Sequence, residues 1–257
     1  MRHFIIEEPY SDSALWSRRL AFFATAVILT GLVLARLGLD PTAVLAVLGS
    51  AIVIACLAVL CAGAAAIAIW RTGRKGVGVL LSSAFIAALT LAYPTYLAFQ
   101  AVRLPPLHDI TTDVDDPPAF SLSHVALAAR KGFVPLSVAP ASRQLQLDAY
   151  PDVQPIILDL DADDAYQTVL HTIAALHWTL VEARPPGGRL GLGHVDAIDR
   201  SFVLGFPNDI TIRIRPLAGQ TRIDARSVSR IGRHDFGANA QRILAFADEL
   251  KSEAEQK

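Results

Sequence analysis

Charge is missing from three long stretches of this chain. Leu20–Ala35, Thr42–Trp70 and Gly76–Ala101 run for 16, 29 and 26 residues without an Asp, Glu, Lys or Arg. A soluble core helix keeps one polar face and these keep none, so a soluble three-helix core does not fit them. About 20 helical residues cross the roughly 30 Å hydrocarbon core of a bilayer. The first run is a minimal span, reaching Leu39 if Arg36 snorkels to the headgroups. The second is long enough to tilt, and the third carries Pro94, where a bend is expected. With no ionisable group at membrane depth, the pattern argues against a transporter, pump or channel. The polar atoms there are chiefly the hydroxyls of Thr25, Thr30, Ser50, Ser82, Ser83 and Thr90, each able to bond its own helix backbone. Ala58, Ala62 and Ala66 form a small-residue ridge suited to packing within the molecule.

Cysteine is scarce. Cys56 and Cys61 both fall in the second run. Five residues apart on a helix, they point about 140° away from each other and cannot pair. No cysteine follows Arg103, so a domain there is held together by burial alone.

The sequence also lacks the short motifs of nucleophilic and metallo-hydrolases. There is no GxSxG, HExxH or CxxC, and Gly191 and Gly193 are followed by Asp196 where a dinucleotide fingerprint needs a third small residue. Asp159, Asp161, Asp163 and Asp164 resemble the start of a calcium loop, but Asp164 stands where Gly is needed and Leu170 where Glu is needed. An acidic helix start explains them better. His171 and His177, six apart, do not share a helical face. No cofactor is expected.

What is present divides unevenly. Residues 1–104 carry a net charge of +4 and residues 105–257 a net charge of −5. An acidic second half argues against nucleic acid as a partner. Arg2, Arg18 and Arg19 precede the first run, and Arg71, Arg74 and Lys75 follow the second, whereas the other side has only Arg36 and Arg103. The positive-inside rule then puts the N-terminus in the cytoplasm and everything after the third run outside, in the periplasm of a Gram-negative cell. Arg36, rather than a small-residue cleavage site, follows the first run, so it reads as a retained span and not as a signal peptide. The expected plan is a cytoplasmic tail (1–19), a three-helix anchor (20–102), an extended proline- and aspartate-rich connector (103–150) and an exported α+β domain (151–257).

The spacing predicts brief helices over Ser123–Arg130 and Ser142–Ala149, and a strand over Pro155–Leu160. A helix capped by Asp161 or Asp163 should follow. Strands are expected over Trp178–Ala183, Arg189–Ala197 after a PPGG turn, Phe202–Phe206, Asp209–Arg215 and Thr221–Ser229. The last two alternate Ile210, Ile212 and Ile214 with Thr211, Arg213 and Arg215, and Ile223, Ala225 and Ser227 with Arg222, Asp224 and Arg226. One face should be buried and the other a lattice of Arg with Asp. A final helix from Gly237 to about Glu253 offers an apolar face to the sheet. The fold class is an α-helical membrane anchor plus an α+β domain whose antiparallel sheet is covered by two helices.

Four separated segments also carry a resemblance. HDITTD (His108–Asp113) with the following PPAF, YPDVQP (Tyr150–Pro155), DITIRIRP (Asp209–Pro216) and SVSRIGRHDFGANAQRI (Ser227–Ile243) resemble the domain of unknown function family 1499. The likeness covers most of residues 103–253. It implies a bacterial envelope or membrane protein, often with a three-helix N-terminus, and no established activity.

The first-choice site is the stretch from Arg226 to Asn239. Arg226, Arg230, Arg233 and His234 stand just before a helix that starts near Gly237, where cations and free backbone N–H groups can converge on an anion, with Asp235 and Asn239 alongside. An exposed structural network of the same Arg with Asp224 and Asp235 reads identically in sequence. The second cluster is His108, Asp109, Thr111, Thr112 and Asp113, either a backbone-bonding brace for a proline-rich connector or a metal site. The expected function is an integral inner-membrane protein whose exported domain binds an envelope protein or an anionic or lipid-like ligand without catalysis. The alternative is an envelope hydrolase using His108, Asp109 and Asp113, with or without a metal.

Overall fold

The computed structural model describes residues 9–135, 138, 140–187 and 191–255. The chain divides into two compact units, Met1–Phe99 and Gln100–Lys257.

The first unit is helical. α1 (Asp12–Arg36), α2 (Pro41–Thr72) and α3 (Val77–Arg103) have 25, 32 and 27 residues, and each is long and apolar enough to cross a membrane. α1 starts well before the uncharged run does, at Asp12, and takes in Arg18 and Arg19. Asp40 caps α2 by accepting from Ala43 N at 3.0 Å, with Pro41 in the first turn, where its missing N–H costs nothing. α3 runs through Pro94 as one helix. The helices meet through their smallest side chains: Ala21, Ala58 and Ala87 are buried against one another. At Gly31 a Cβ would come within 2.7 Å of Leu48, so this glycine lets α2 approach.

The six hydroxyls named above each bond their own helix, as Thr25 does to the Ala21 carbonyl at 3.0 Å and Ser83 to Leu80 at 2.9 Å. Some also bridge helices. Ser17 lies 2.9 Å from both the Ala58 carbonyl and the Ser83 hydroxyl, and Thr25 and Thr90 are 3.0 Å apart. The small-residue ridge of α2 is Ala51, Ala55, Ala58, Ala62 and Ala65, while Ala66 is exposed. A strict four-residue step drifts about 40° per step on a helix of 3.6 residues per turn, so the buried stripe corrects itself with three-residue steps.

The second unit is a six-stranded antiparallel sheet. In chain order it comprises β1 (Asp109–Thr111), α4 (His124–Ala129), α5 (Pro140–Ala149), β2 (Ile156–Leu158), α6 (Ala162–Ala175), β3 (Thr179–Arg184), β4 (Gly193–Arg200), β5 (Pro207–Pro216), β6 (Thr221–Ser229) and α7 (Ala238–Glu255). The strand order is β1-β6-β5-β4-β3, with β2 also paired to β6 beyond the end of β1. Ile210, Ile212 and Ile214 sit opposite Ser227, Ala225 and Ile223 on one face. There they pack with Val195 and Ala197 under Val169 and Ile173 of α6 and Ile243, Phe246 and Leu250 of α7. Trp178 stacks on Phe246 with ring centroids 5.6 Å apart.

One expectation needs correction. Phe202–Phe206 is a turn and not a strand: Ser201 N donates to the Phe206 carbonyl at 2.9 Å, Gly205 N donates to Ser201 at 2.8 Å, and Gly205 takes a φ of +68°. β4 instead continues through Arg200, because Ile198, Asp199 and Arg200 pair with Asp209, Asn208 and Pro207. Of the strand expected over Arg189–Ala197, Arg189 and Leu190, together with Gly188 of the turn before it, lie outside the described residues. Residues 103–150 contribute to the sheet domain. They supply β1, α4 and α5, and residues 112–123 between β1 and α4 run as a strap over the second face of the sheet, touching it at Thr112, Ala119 and Ser121.

Phe246 is fully buried where both helices meet the sheet. Phe246→Ala is expected to lower stability by about 3–5 kcal/mol, a large part of a typical domain's total. Chemical unfolding of the full chain in detergent, followed by near-UV circular dichroism, checks it.

Candidate functional site

Alternation in β4, β5 and β6 forces Asp196, Thr211, Arg213, Asp224 and Arg226 onto the face away from α6 and α7. This face is also buried, beneath the strap. Asp224 is fully enclosed, and it accepts from Arg213 Nη2 at 2.8 Å and from Arg222 Nε at 2.8 Å. Arg213 reaches on to the strap, to Asp116 Oδ2 at 2.8 Å and Asp113 Oδ2 at 3.4 Å. Arg222 donates to the same Asp113 oxygen at 2.6 Å, and Arg215 to Asp116 at 3.0 Å. The neighbouring Arg213 charge holds the Asp116 carboxyl below its ordinary value.

The far end of the strap is locked from the opposite direction. Arg130, 2 % exposed, follows α4 and donates to Asp196 Oδ2 at 3.0 Å and to the Ser121 carbonyl. Ser121 N donates to the same Asp196 oxygen at 3.0 Å. The guanidiniums of Arg130 and Arg226 each lie over the Phe120 ring, 5.4 Å from its centre. His194 Nε2 is 3.0 Å from Asp196 Oδ1 but off the line of a hydrogen bond. On β3, Glu182 accepts from the Ser123 hydroxyl and from Arg184 Nε at 2.7 Å. The Ser123 bond, aided by Ser121 and Arg184, pulls its carboxyl down to about 2.

The residues from Arg226 to Asn239 do not converge on one point. Arg226 is on the strap face, where it grips Asp109 through two bonds of 2.9 and 2.6 Å. Arg230 grips the buried Asp209 in the same way, at 2.8 and 2.7 Å. Asp235 and Asn239 are at the start of α7, against the other face. Asp235 accepts from Gly237 N and Asn239 N, both at 2.9 Å, and so occupies the helix start where an anion was expected. Asn239 accepts from the Ser227 hydroxyl and Arg242 and donates to the His108 carbonyl and Ser229 hydroxyl. His234 Nδ1 accepts from Phe236 N at 2.9 Å, leaving Nε2 3.1 Å from the Leu104 carbonyl, the geometry of a neutral ring donating there. Gly237 takes a φ of +83°, which favours glycine, and a Cβ there would fall 2.9 Å from the Leu104 side chain. Nearby, burial and the Asp235 charge push the Tyr150 hydroxyl up to about 12. Arg233 is exposed.

The Asp and Thr side chains of the second cluster bond nearby backbone and Arg226. The His108 side chain is exposed while its carbonyl accepts from Ser229 N at 2.8 Å. Asp109 holds Arg226, and Thr112 accepts from Ala225 N at 3.0 Å. Thr111 bonds Asp113, whose other oxygen turns the strap by accepting from Asp115 N and Asp116 N. Among the described residues no group of three His, Cys, Asp or Glu side chains is placed to hold a metal ion. Arg130, Asp196, Asp209 and Glu182 were not singled out from sequence. The alternation of the hairpin flags Asp209, but Arg130 has no local signal, because its partner is 66 residues away.

A family model described as "Protein of unknown function (DUF1499)" matches residues 109–250. The chain belongs to this family. The match begins at β1, includes the strap and ends at Leu250 in α7, so the DUF1499 domain takes in the buried ion pairs on one face of the sheet and the helix-covered core on the other. No curated protein matches the chain.

Removing one partner of a buried ion pair strands the other charge. Asp196→Ala or Arg130→Met is expected to cost about 3–5 kcal/mol, and the joint replacement Arg130→Met with Asp196→Leu to recover much of it, in thermal unfolding of the full chain. Glu182 gives a pH test. Its folded value lies near 2 against an ordinary 4.5, so its contribution is fully present above 4.5 and is lost as the pH falls towards 2. In Glu182→Gln the unfolding temperature should fall less steeply across that window than in the parent.

Proposed function

We propose that this protein is a non-catalytic interaction module displayed at the outer face of the inner membrane by three spans. The observation that carries this reading is the engagement of the charged groups. The side chains best suited to acid–base or anion chemistry are each engaged in an ion pair: Asp109 with Arg226, Asp113 with Arg222, Asp196 with Arg130, Asp224 with Arg213 and Arg230 with Asp209. A general acid or base needs a proton path to substrate, and these groups serve to close the sheet instead. The excess of Arg and Lys in the tail and between α2 and α3 supports a cytoplasmic N-terminus and an exported DUF1499 domain. On this reading the partner, an envelope protein or an anionic or lipid-like ligand, meets the exposed part of the first-choice stretch. Arg233 is its leading contact.

A single cysteine at Ala218, in a chain whose Cys56 and Cys61 are replaced by Ser, should react with a membrane-impermeant maleimide in intact cells. Labelling only after lysis contradicts the orientation. For the partner, a photoreactive residue at position 233 of the full chain should give specific adducts in cells. Its failure to do so, in a protein that remains folded, contradicts the contact.

A further inference from the structure

Strand register places several apolar and cationic groups at one end of the sheet. The chain enters at Leu104, and from there to Asp109 it covers at most about 17 Å. Asp109 pairs with Val228, and the His108 carbonyl accepts from Ser229 N. Ser229 in turn pairs with Asn208, next to the turn between β4 and β5. That turn therefore projects from the end of the sheet where the chain arrives from α3, and it reaches past His108 by about three residues, roughly 10 Å. The loop before α7 is at the same end, since His234 meets the Leu104 carbonyl and Asp235 N donates to the Leu107 carbonyl at 2.8 Å.

The turn carries Phe202, Val203 and Leu204, and Phe202 is 92 % exposed. Its backbone is braced by Ser201 and Gly205 and by Arg200 Nη1 donating to the Gly205 carbonyl at 3.1 Å. An exposed aromatic on a braced loop is presented without further ordering cost. Four carboxylates at this end are occupied: Asp109 by Arg226, Asp209 by Arg230, Asp199 by Arg242, and Asp235 by the α7 amides, whereas Asp152, two residues from the Tyr150 that lies against Gly237, is exposed. Arg200, Arg233 and Lys131 are exposed, and Lys131 belongs here because Arg230 lies 3.5 Å from the Ala129 carbonyl. The opposite end is acidic. Gln220, in the turn between β5 and β6, donates to Asp159 at 2.6 Å, and the exposed Asp161, Asp163 and Asp164 follow.

We infer that the β4–β5 turn docks on the bilayer, with Phe202 and its neighbours entering the headgroup boundary and Arg200, Arg233 and Lys131 meeting anionic lipid headgroups. The net −5 of residues 105–257 does not oppose this, because the negative charge includes the cluster at the far end of the sheet. The inference rests on the proposed function only in requiring α3 to cross the membrane, and it names the lipid surface as the anionic ligand.

The test uses the full chain, with Cys56 and Cys61 replaced by Ser, in nanodiscs of phosphatidylcholine and phosphatidylglycerol in equal parts. Both faces of a nanodisc are alike, so the outcome is independent of cellular orientation and of any protein partner. A fluorophore on Phe202→Cys should lose most of its emission to lipids bearing a nitroxide near the headgroup, while one on Ala218→Cys keeps its emission. The loss at 202 should shrink in pure phosphatidylcholine, and with Arg233→Glu and Lys131→Glu combined. Equally small losses at 202 and 218, in proteins that unfold at the parent's temperature, overturn the proposal. So does a loss at 202 that ignores both lipid charge and the two substitutions, since that marks nonspecific adsorption. Emission retained in nanodiscs but protection of the same cysteine in native membranes assigns the turn to a protein partner and also overturns it.

Discussion

A carboxylate enclosed in a protein interior needs a cation and hydrogen-bond donors within reach, or it will not stay ionised there. Asp196 and Asp224 impose that requirement on the whole second unit. Both point to the face of the sheet away from α6 and α7, and both are buried. Asp196 is matched by Arg130, which follows α4, and Asp224 by Arg213 and Arg222, which are themselves held by Asp113 and Asp116. The strap therefore belongs to the fold. Without it the sheet would have one apolar face sealed by helices and one charged face with its partners removed. Because β1 and the strap are fixed, Leu104–His108 has one place to enter, and the cap of α7 is assembled beside it.

Much of the architecture is legible in sequence because two periodicities are clean. The uncharged runs and the alternating isoleucines of β5 depend on local spacing, and the structure returns both. What escapes is nonlocal. β1 is three residues in a segment broken by prolines, and its strand character comes from pairing with β6 more than a hundred residues later. Phe202–Phe206 misleads for the opposite reason: its apolar residues suit a strand, but Gly205 and the Ser201 bonds close a turn, which leaves Phe202 exposed. The Arg and Asp lattice is read correctly as alternation, whereas its burial is invisible until the strap is placed over it.

The same distinction governs the candidate site. Cations gathered before a helix N-terminus suggest anion binding, and the residues are where the sequence puts them. Local spacing cannot show that Asp209 and Asp109 lie within bonding distance of Arg230 and Arg226, or that Asp235 turns back to cap the helix. Once those pairs are formed, Arg200, Arg233 and Lys131 remain exposed near the chain's entry, and Asp159, Asp161, Asp163 and Asp164 remain exposed near the far turn. A domain with net negative charge can on this account still meet an anionic surface with one end.

The central claim is that residues 109–123 belong to the sheet. Hydrogen–deuterium exchange of the full chain, read by mass spectrometry, tests it most directly. Thr112 N bonds the Ala225 carbonyl at 2.9 Å and Ser121 N bonds Asp196 at 3.0 Å. The account predicts that peptides containing these amides exchange as slowly as those from β5 and β6, and open with them as one unit. Exchange of this segment at the rate of an unprotected linker, while β5 and β6 stay protected, would contradict it.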